Sequence, residues 1–383
     1  AGDQVGRASS ISGDYAIIGA PYEDDASGTS SGKAYIFNVT TGALLHTLNN
    51  PNPYSTSATD YFAWSVAISG DYAIVGAYQE DEAGGTTSGK AYIYNVTTGT
   101  LLHTLNNPNP YSTVADDEFG RVVAISGNYA IVNANREDDA GGTDSGKVYI
   151  FNVTTGALVH TLDNPNAYDT SLNDNFGYSV AISGDYAIAS SDREDDAGGS
   201  ASGKAYIFNV TTGALVHTLD NPNPYGTSAN DQFGNSVAIS GNYAVVTAHQ
   251  EDEAGGNQSG KAYIYNVTTG ALVHTLDNPN AYDTAADDGF GWSVAVSGNY
   301  VIVGARSEDD SGGTSSGKAY IFNVTTGALV HTLDNPNAYG TSQSDIFGWS
   351  VAISDNYAIV GAYAEDEAGG NTSGKAYIYS LYA

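Results

Sequence analysis

Seven times along the 383-residue chain an apolar run gives way to three consecutive acids and then to small residues and glycine, as in YAIVGAYQEDEAGGTTSGKAYIYN from Tyr72 to Asn95. Carboxylates are hard oxygen ligands, and a glycine-rich loop can turn its carbonyls inward, so the chemistry offered is cation binding, one calcium per copy. The candidate ligands are the middle acids, Asp24, Asp81, Asp138, Asp195, Asp252, Asp309 and Asp366. With them goes the aspartate two residues before each Phe-Gly or its variant: Asp3, Asp60, Asp117, Asp174, Asp231, Asp288 and Asp345. Close carboxylates repel by roughly 1 kcal/mol per pair even in water, which favours a neutralising ion. The competing reading is a solvated acidic face with one lysine, such as Lys33 or Lys90, returned per copy. The loop follows no EF-hand spacing.

Other chemistries find less support. The chain has no cysteine and no Gly-x-Ser-x-Gly, and its acidic loops are near copies, whereas a catalytic pair should stand out in one of them. A non-enzymatic protein is expected. His46, His103, His160, His217, His274 and His331 each alternate with leucine in a His-Thr-Leu stretch, which suits half-buried packing better than a metal site. Six Asn-Val-Thr-Thr-Gly stretches read as turns, with formal glycosylation acceptors at their asparagines. A net charge of -31 argues against nucleic acid, and no apolar run is long enough to span a membrane. The chain opens Ala-Gly-Asp without methionine, so a processed N-terminus and an extracellular or cell-surface location are expected.

The elements that must position these residues repeat with a period of 57: Ile11, Ile68, Ile125, Ile182, Ile239, Val296 and Ile353 each open the same turn. Every period holds strand-like runs such as FGYSVAIS, DYAIASS, GKAYIFN and ALVHTL, separated by turn signals. Small residues in the first two runs and rings in the third make a wedge. The expected fold is all-β, a single seven-bladed β-propeller over residues 1–383 with four-stranded antiparallel blades. The first three runs occur seven times and the outer run six, so the last blade, at about 345–383, lacks its outer strand. That edge is either short and solvated or the place where subunits of an oligomer or filament join.

The order of Phe-Gly before the first strand (Phe176-Gly177, Phe290-Gly291, Phe347-Gly348), Val-Gly-Ala closing the second (Val75 to Ala77, Val303 to Ala305) and GKAYIF for the third resembles the FG-GAP repeat of integrin-α-type propellers and their bacterial and archaeal relatives. The resemblance covers essentially the whole chain. It implies a seven-bladed propeller used for adhesion and ligand binding outside the cell. The Asp-x-Asp-x-Asp-Gly calcium loop of integrin-type repeats is replaced here by Ser-Gly-Asp or Ser-Gly-Asn, so calcium does not carry over to that turn.

Two sets of positions break the sevenfold regularity. After Phe-Gly stand Arg7, Trp64, Arg121, Tyr178, Asn235, Trp292 and Trp349; beyond the second strand stand Pro21, Tyr78, Asn135, Asp192, His249, Arg306 and Tyr363. Strand direction places both sets on the acidic-loop face near the channel mouth, and tryptophan and arginine favour binding hot spots and sugar stacking. The ligand-binding candidates are Arg7, Trp64, Arg121, Tyr178, Trp292, Trp349, Tyr78, His249, Arg306 and Tyr363. The expected function is surface adhesion or an appendage subunit that binds a protein or glycan partner, with calcium bracing the acidic loops. A carbohydrate-binding propeller and a filament subunit are the alternatives.

Overall fold

The computed structural model of the chain describes residues 2–24, 28–51, 59–81, 86–109, 115–138, 142–166, 172–196, 199–222, 228–252, 257–280, 286–309, 314–336, 343–366 and 372–381. Within them seven antiparallel sheets follow the chain in order, each strand paired with its sequence neighbours. Blade one is built from an inner strand Ala8–Ser12, a second Tyr15–Ala20, a third Lys33–Asn38 and an outer Leu44–Asn49. Six sheets repeat this plan, and the seventh has three strands, Phe347–Ile353, Tyr357–Ala362 and Lys375–Ser380. The described residues form no helix.

Each turn has a local cause. In Asn-Val-Thr-Thr-Gly the Asn38 Oδ1 accepts hydrogen bonds from the backbone N–H and the hydroxyl of Thr41, both at 2.9 Å. The same pair of bonds recurs at Asn95, Asn152, Asn209, Asn266 and Asn323.

The core lies in the seams between blades. Strands such as Tyr72–Ala77 are buried on both faces because a neighbouring blade covers each. The seam of blades two and three gathers Ile74, Ile93 and Leu105 from one sheet with Phe119, Val132, Tyr149 and Phe151 from the next. Phe62 shows the ring packing at the rim of the wedge, 5.9 Å from Tyr92 and edge-on to Tyr94 at 6.3 Å. The ring closes from blade seven to blade one through the same kind of contact, with Ile11, Ala16, Val39, Ala352 and Ile359 buried there. Ser350 Oγ also donates to the Gly6 carbonyl at 2.8 Å.

The inner strands take in Phe-Gly only in blades six and seven, Phe290–Ser297 and Phe347–Ile353; in blades one and two they begin after the corresponding pair, at Ala8 and Ser65, and in three blades one position later still, at Val123, Val180 and Val237. The reason lies on the second strand, where Asn133, Ser190 and Thr247 replace the glycine of Val-Gly-Ala. The side-chain oxygens of Asn133, Ser190 and Thr247 accept the N–H of Val122, Ser179 and Ser236 at 2.7–3.1 Å, so ladder pairing starts one residue later. Where glycine is kept, backbone meets backbone. A Cβ on Gly76 would stand 1.9 Å from the Gly120 carbonyl oxygen of the next blade, and one on Gly304 would stand 2.1 Å from that of Gly348.

Gly304→Ala should therefore cost about 3 kcal/mol, because the obstruction is main chain and cannot rotate away. Ser190→Ala at the equivalent position should cost about 1 kcal/mol, the value of a hydrogen bond. Guanidinium unfolding of the two variants checks the order; an equal or smaller loss for Gly304→Ala contradicts the interlock.

Candidate functional site

The start of each inner strand and the end of each second strand face the same end of the channel. All seven residues that follow Phe-Gly or its variant, from Arg7 to Trp349, line one cavity of about 380 Å³ at that mouth. The second set forms a layer beside them. Tyr78 packs on Trp64 at 4.7 Å, Tyr363 on Trp349 at 4.5 Å, and His249 stands edge-on to Trp292 at 5.2 Å. Trp292 and Trp349 touch each other at 4.9 Å. Two guanidinium groups are held between these rings: Arg306 lies 3.2 Å from the Trp292 centroid and 4.9 Å from Trp349, and Arg7 lies 3.7 Å from Trp64 and 5.1 Å from Trp349. The sequence thus identifies residues that the fold brings together, and it misses Tyr22 and Tyr61, which extend the aromatic group beside Trp64. Tyr22 follows Pro21 directly, and the variation of its position from blade to blade was the available signal.

The charge at the mouth is opposite to that of the chain. All five arginines lie in or beside these positions, Arg136 and Arg193 following Asn135 and Asp192. Arg121 and Arg136 share Glu118, at 2.5 and 3.2 Å. No carboxylate among the described residues pairs with Arg7 or Arg306, and burial lowers the pKa of both guanidinium groups. His249, beside Arg306 on Trp292, is pushed down to about 4 by burial and Arg306, and Asp192 is pushed up to about 7 by burial against the pull of Arg193 and Arg121. Asp192 Oδ1 and His249 Nδ1 are both buried without a hydrogen-bond partner among the described residues.

The acidic loops divide their labour by position. The first acid is a core post: Glu80, Glu137, Glu194, Glu251, Glu308 and Glu365 are fully buried, and each accepts the hydroxyl of its blade's third-strand tyrosine at 2.5–2.8 Å. Tyr35 donates to Glu23 in the same way. The glutamate carbonyl also accepts a glycine N–H across the loop, as Glu80 does from Gly89 at 2.9 Å. The second acid closes the loop. Oδ1 of Asp24, Asp81, Asp138, Asp195, Asp252, Asp309 and Asp366 accepts the backbone N–H six residues on, at 2.7–3.0 Å. The third acid lies outside the described residues in every loop except that of Asp196.

The aspartates before Phe-Gly are buried rather than displayed. Asp60 takes the amide of Asn50 at 2.8 Å, and Asp117 takes those of Asn107 and Asn109 at 2.8 and 2.6 Å. Asp174, Asp231, Asp288 and Asp345 are held by asparagines alike. Asp3 is half-buried at the head of blade one. Among the described residues no three His, Asp or Glu side chains converge as metal ligands would. Lysine is shared rather than reserved for the loop: Lys33 and Lys375 pair with Glu23 and Glu365, while Lys147 and Lys261 reach Asp163 and Asp277 at the end of the outer strand. Five outer-strand histidines, His46, His103, His160, His217 and His274, pack against the turn of the next blade, His46 Nε2 lying 3.0 Å from the Thr97 carbonyl oxygen, whereas His331 is exposed, against expectation, because among the described residues the strand order of the seventh sheet ends at its third strand.

Burial pushes Glu137 and Glu194 up to about 8, and Glu251, Glu308 and Asp117 up to about 7, with neighbouring aspartate charges adding to the glutamate shifts. A carboxyl raised in the folded state favours folding most below its unfolded pKa and loses that contribution as pH rises through the folded value. The melting temperature should therefore climb as pH falls from above 8 to about 5, and Glu194→Gln should flatten the rise. Scanning calorimetry across that window checks it, and a melting temperature that falls steadily on acidification contradicts the account.

A family model described as the FG-GAP repeat matches seven segments, residues 1–37, 53–94, 111–151, 166–208, 224–265, 280–322 and 337–379. No curated protein matches the chain. One matched segment falls on each blade, taking in the loop that leads to it and its inner, second and third strands, and stopping short of the outer strand. With one such unit in each of seven consecutive blades, the chain belongs to the FG-GAP repeat family.

Proposed function

We propose that the chain is a binding protein of the cell exterior, not an enzyme, that adheres to surfaces by holding an acidic carbohydrate at the channel mouth. One observation carries this reading: in a chain of net charge -31, all three tryptophans and two of the five arginines, Arg7 and Arg121, line one cavity, and a third arginine, Arg306, lies against its Trp292 wall. Indole faces stack on the apolar faces of sugar rings, and guanidinium groups meet carboxylates or sulfates with paired donors. A cavity of about 380 Å³ is the size of a small-ligand site. Arg7 and Arg306 suit the role because each is oriented by two indole rings and paired with no carboxylate among the described residues. The acidic face around the mouth would turn anionic partners away except where these cations stand, which gives selectivity as well as affinity. FG-GAP repeats are typical of extracellular proteins, and that supports the location proposed.

Calcium is the second element of the proposal. Asp24 and its equivalents accept the loop N–H on Oδ1, and a second carboxylate oxygen on each is a hard ligand suited to calcium. Chelated protein should melt several degrees lower than protein in millimolar calcium; identical melting curves remove the metal from the reading and leave the mouth untouched.

For the mouth, titration calorimetry with polygalacturonate oligomers should give saturable binding that weakens with salt, and a neutral dextran of similar length should give none. Trp292→Ala and Arg306→Ala should each lower affinity about tenfold, roughly 1.4 kcal/mol. Unchanged affinity in both variants, or equal binding of the neutral polymer, sinks the assignment.

A further inference from the structure

Two further positions vary from blade to blade just outside the mouth. The residue before Phe-Gly or its variant is Tyr61 in blade two, but Gln4, Asn175 and Gln232 in blades one, four and five. The second residue beyond the second strand is Tyr22 in blade one, but Gln79, Gln250 and Ser307 in blades two, five and six. The fold therefore asks for a ring at neither place. In blades one and two the rings nevertheless meet. Tyr22 and Tyr61 are 5.0 Å apart between centroids, Tyr61 stacks on Tyr78 at 5.8 Å with 15° between the planes, and Trp64 stands 5.9 Å from Tyr61 and 6.3 Å from Tyr22. Tyr22, Tyr61 and Trp64 are each half-buried, so each keeps part of its surface in solvent. Trp64 also belongs to the mouth: it lines the cavity and carries Arg7 at 3.7 Å, and Arg7 lies 5.1 Å from Trp349. An aromatic and guanidinium surface thus runs on from Trp349 through Arg7 and Trp64 to Tyr61 and Tyr22. In blade three the same two positions hold Glu118 and Arg136, tied with Arg121 into ion pairs, and neither offers a ring.

We infer that Tyr22, Tyr61, Trp64 and Tyr78 form a second subsite, which stacks on the sugar ring next along the chain from the one held at the mouth. This subsite rests on the assignment of the mouth to an acidic carbohydrate, and it gives that ligand a length and a direction. The bound polymer leaves the cavity past Trp64 and lies across blades one and two. Tyrosine and tryptophan offer broad, rigid faces to the apolar side of a sugar and lose little freedom on binding, the less so where Tyr61 is already held against Tyr78 and Trp64. Arg7 stands at the junction of the two subsites, between Trp64 and Trp349, within reach of the acid group of either sugar. Support of the indole does not account for the tyrosines. Trp292 occupies the place of Trp64 in blade six with Gly289 and Gln250 at the two positions, and Trp349 does so in blade seven with Ile346 and Ser307. Two contacts on one chain reinforce each other, because the first raises the local concentration of the second.

Titration calorimetry of the full chain with galacturonate oligomers of graded length tests the second subsite. The hexamer should bind about tenfold more tightly than the dimer, roughly 1.4 kcal/mol. Tyr61→Gln and Tyr22→Gln install residues that the repeat already carries at these positions, and Gln4 and Gln232 adopt φ of 54° there, beside 52° for Tyr61, so the backbone takes the change without new strain. In both variants the advantage of the hexamer over the dimer should disappear. Equal affinity of the unchanged chain for dimer and hexamer overturns the second subsite and leaves the mouth as a site for a short ligand. An equal loss for dimer and hexamer in Tyr61→Gln overturns it too, because that is the effect of a residue that merely props Trp64. Absence of binding by every oligomer overturns the assignment of the mouth and the subsite with it.

Discussion

Each blade can bury its two faces only against its neighbours, and the rest of the structure follows from that constraint. A lone four-stranded sheet of this composition would leave Ile, Val and Tyr side chains in water on both sides. Closing the ring buries Ile93 and Tyr92 completely, and the equivalent residues of blades three to six are buried in the same register. The inner strands must then approach one another more closely than side chains allow. Glycine at 76 and 120 accepts that by having no Cβ, while Asn133, Ser190 and Thr247 accept it by replacing a main-chain pairing with a side-chain bond. Because seams are equivalent, a defect in cover cannot spread around the ring. It is confined to the place where a strand is missing, and the exposure of Ile378, Tyr35 and Phe37 marks that place from both sides.

Burial also explains why so acidic a protein keeps carboxylates inside. A buried carboxylate is costly unless its oxygens are bonded, and the tyrosine hydroxyl on the third strand meets that need in every blade. The glutamate in return fixes the start of the loop, so that the next residue, aspartate, is placed to bond the N–H six residues away. A run of three acids that looks uniform therefore contains a core residue and a loop clasp in its first two places. Burial, with neighbouring aspartate charges, raises the pKa of Glu137 and Glu194 to about 8, the cost of holding a charged carboxyl away from water.

Most of the fold was legible in the sequence because a 57-residue period without insertions makes every local signal appear seven times. Strand number, blade number, turn chemistry and the missing outer strand could all be read by alignment of the chain with itself. The roles of the acids could not. Composition and spacing show Glu80 and Asp81 as neighbours of equal kind, and only burial against Tyr92 separates them. Asp60 and Asp117 looked like displayed ligands for the same reason, since the asparagines that hold them lie in a linker whose path periodicity does not define. The inner-strand starts were misjudged where a side chain displaced a backbone pairing, an event with no periodic signature.

The mouth was legible for the opposite reason: it is where repetition fails. A residue in a seam is held to type by the neighbouring blade, so drift there costs stability, as the identity of Phe119, Phe176, Phe233, Phe290 and Phe347 illustrates. Residues at the mouth lie outside those seams, so seven copies are free to differ, and a non-symmetric ligand requires that they do. Random drift at tolerant acidic-face positions should introduce lysine as readily as arginine. All seven lysines instead remain at the repeat's fixed position, and three of the five arginines, Arg7, Arg121 and Arg306, stand at the mouth. Only the guanidinium group is planar enough to lie against an indole, as Arg306 does on Trp292, and still offer donors outward. That geometric requirement accounts for the choice of cation, and it ties the charge of the mouth to its aromatic rings as a single constellation.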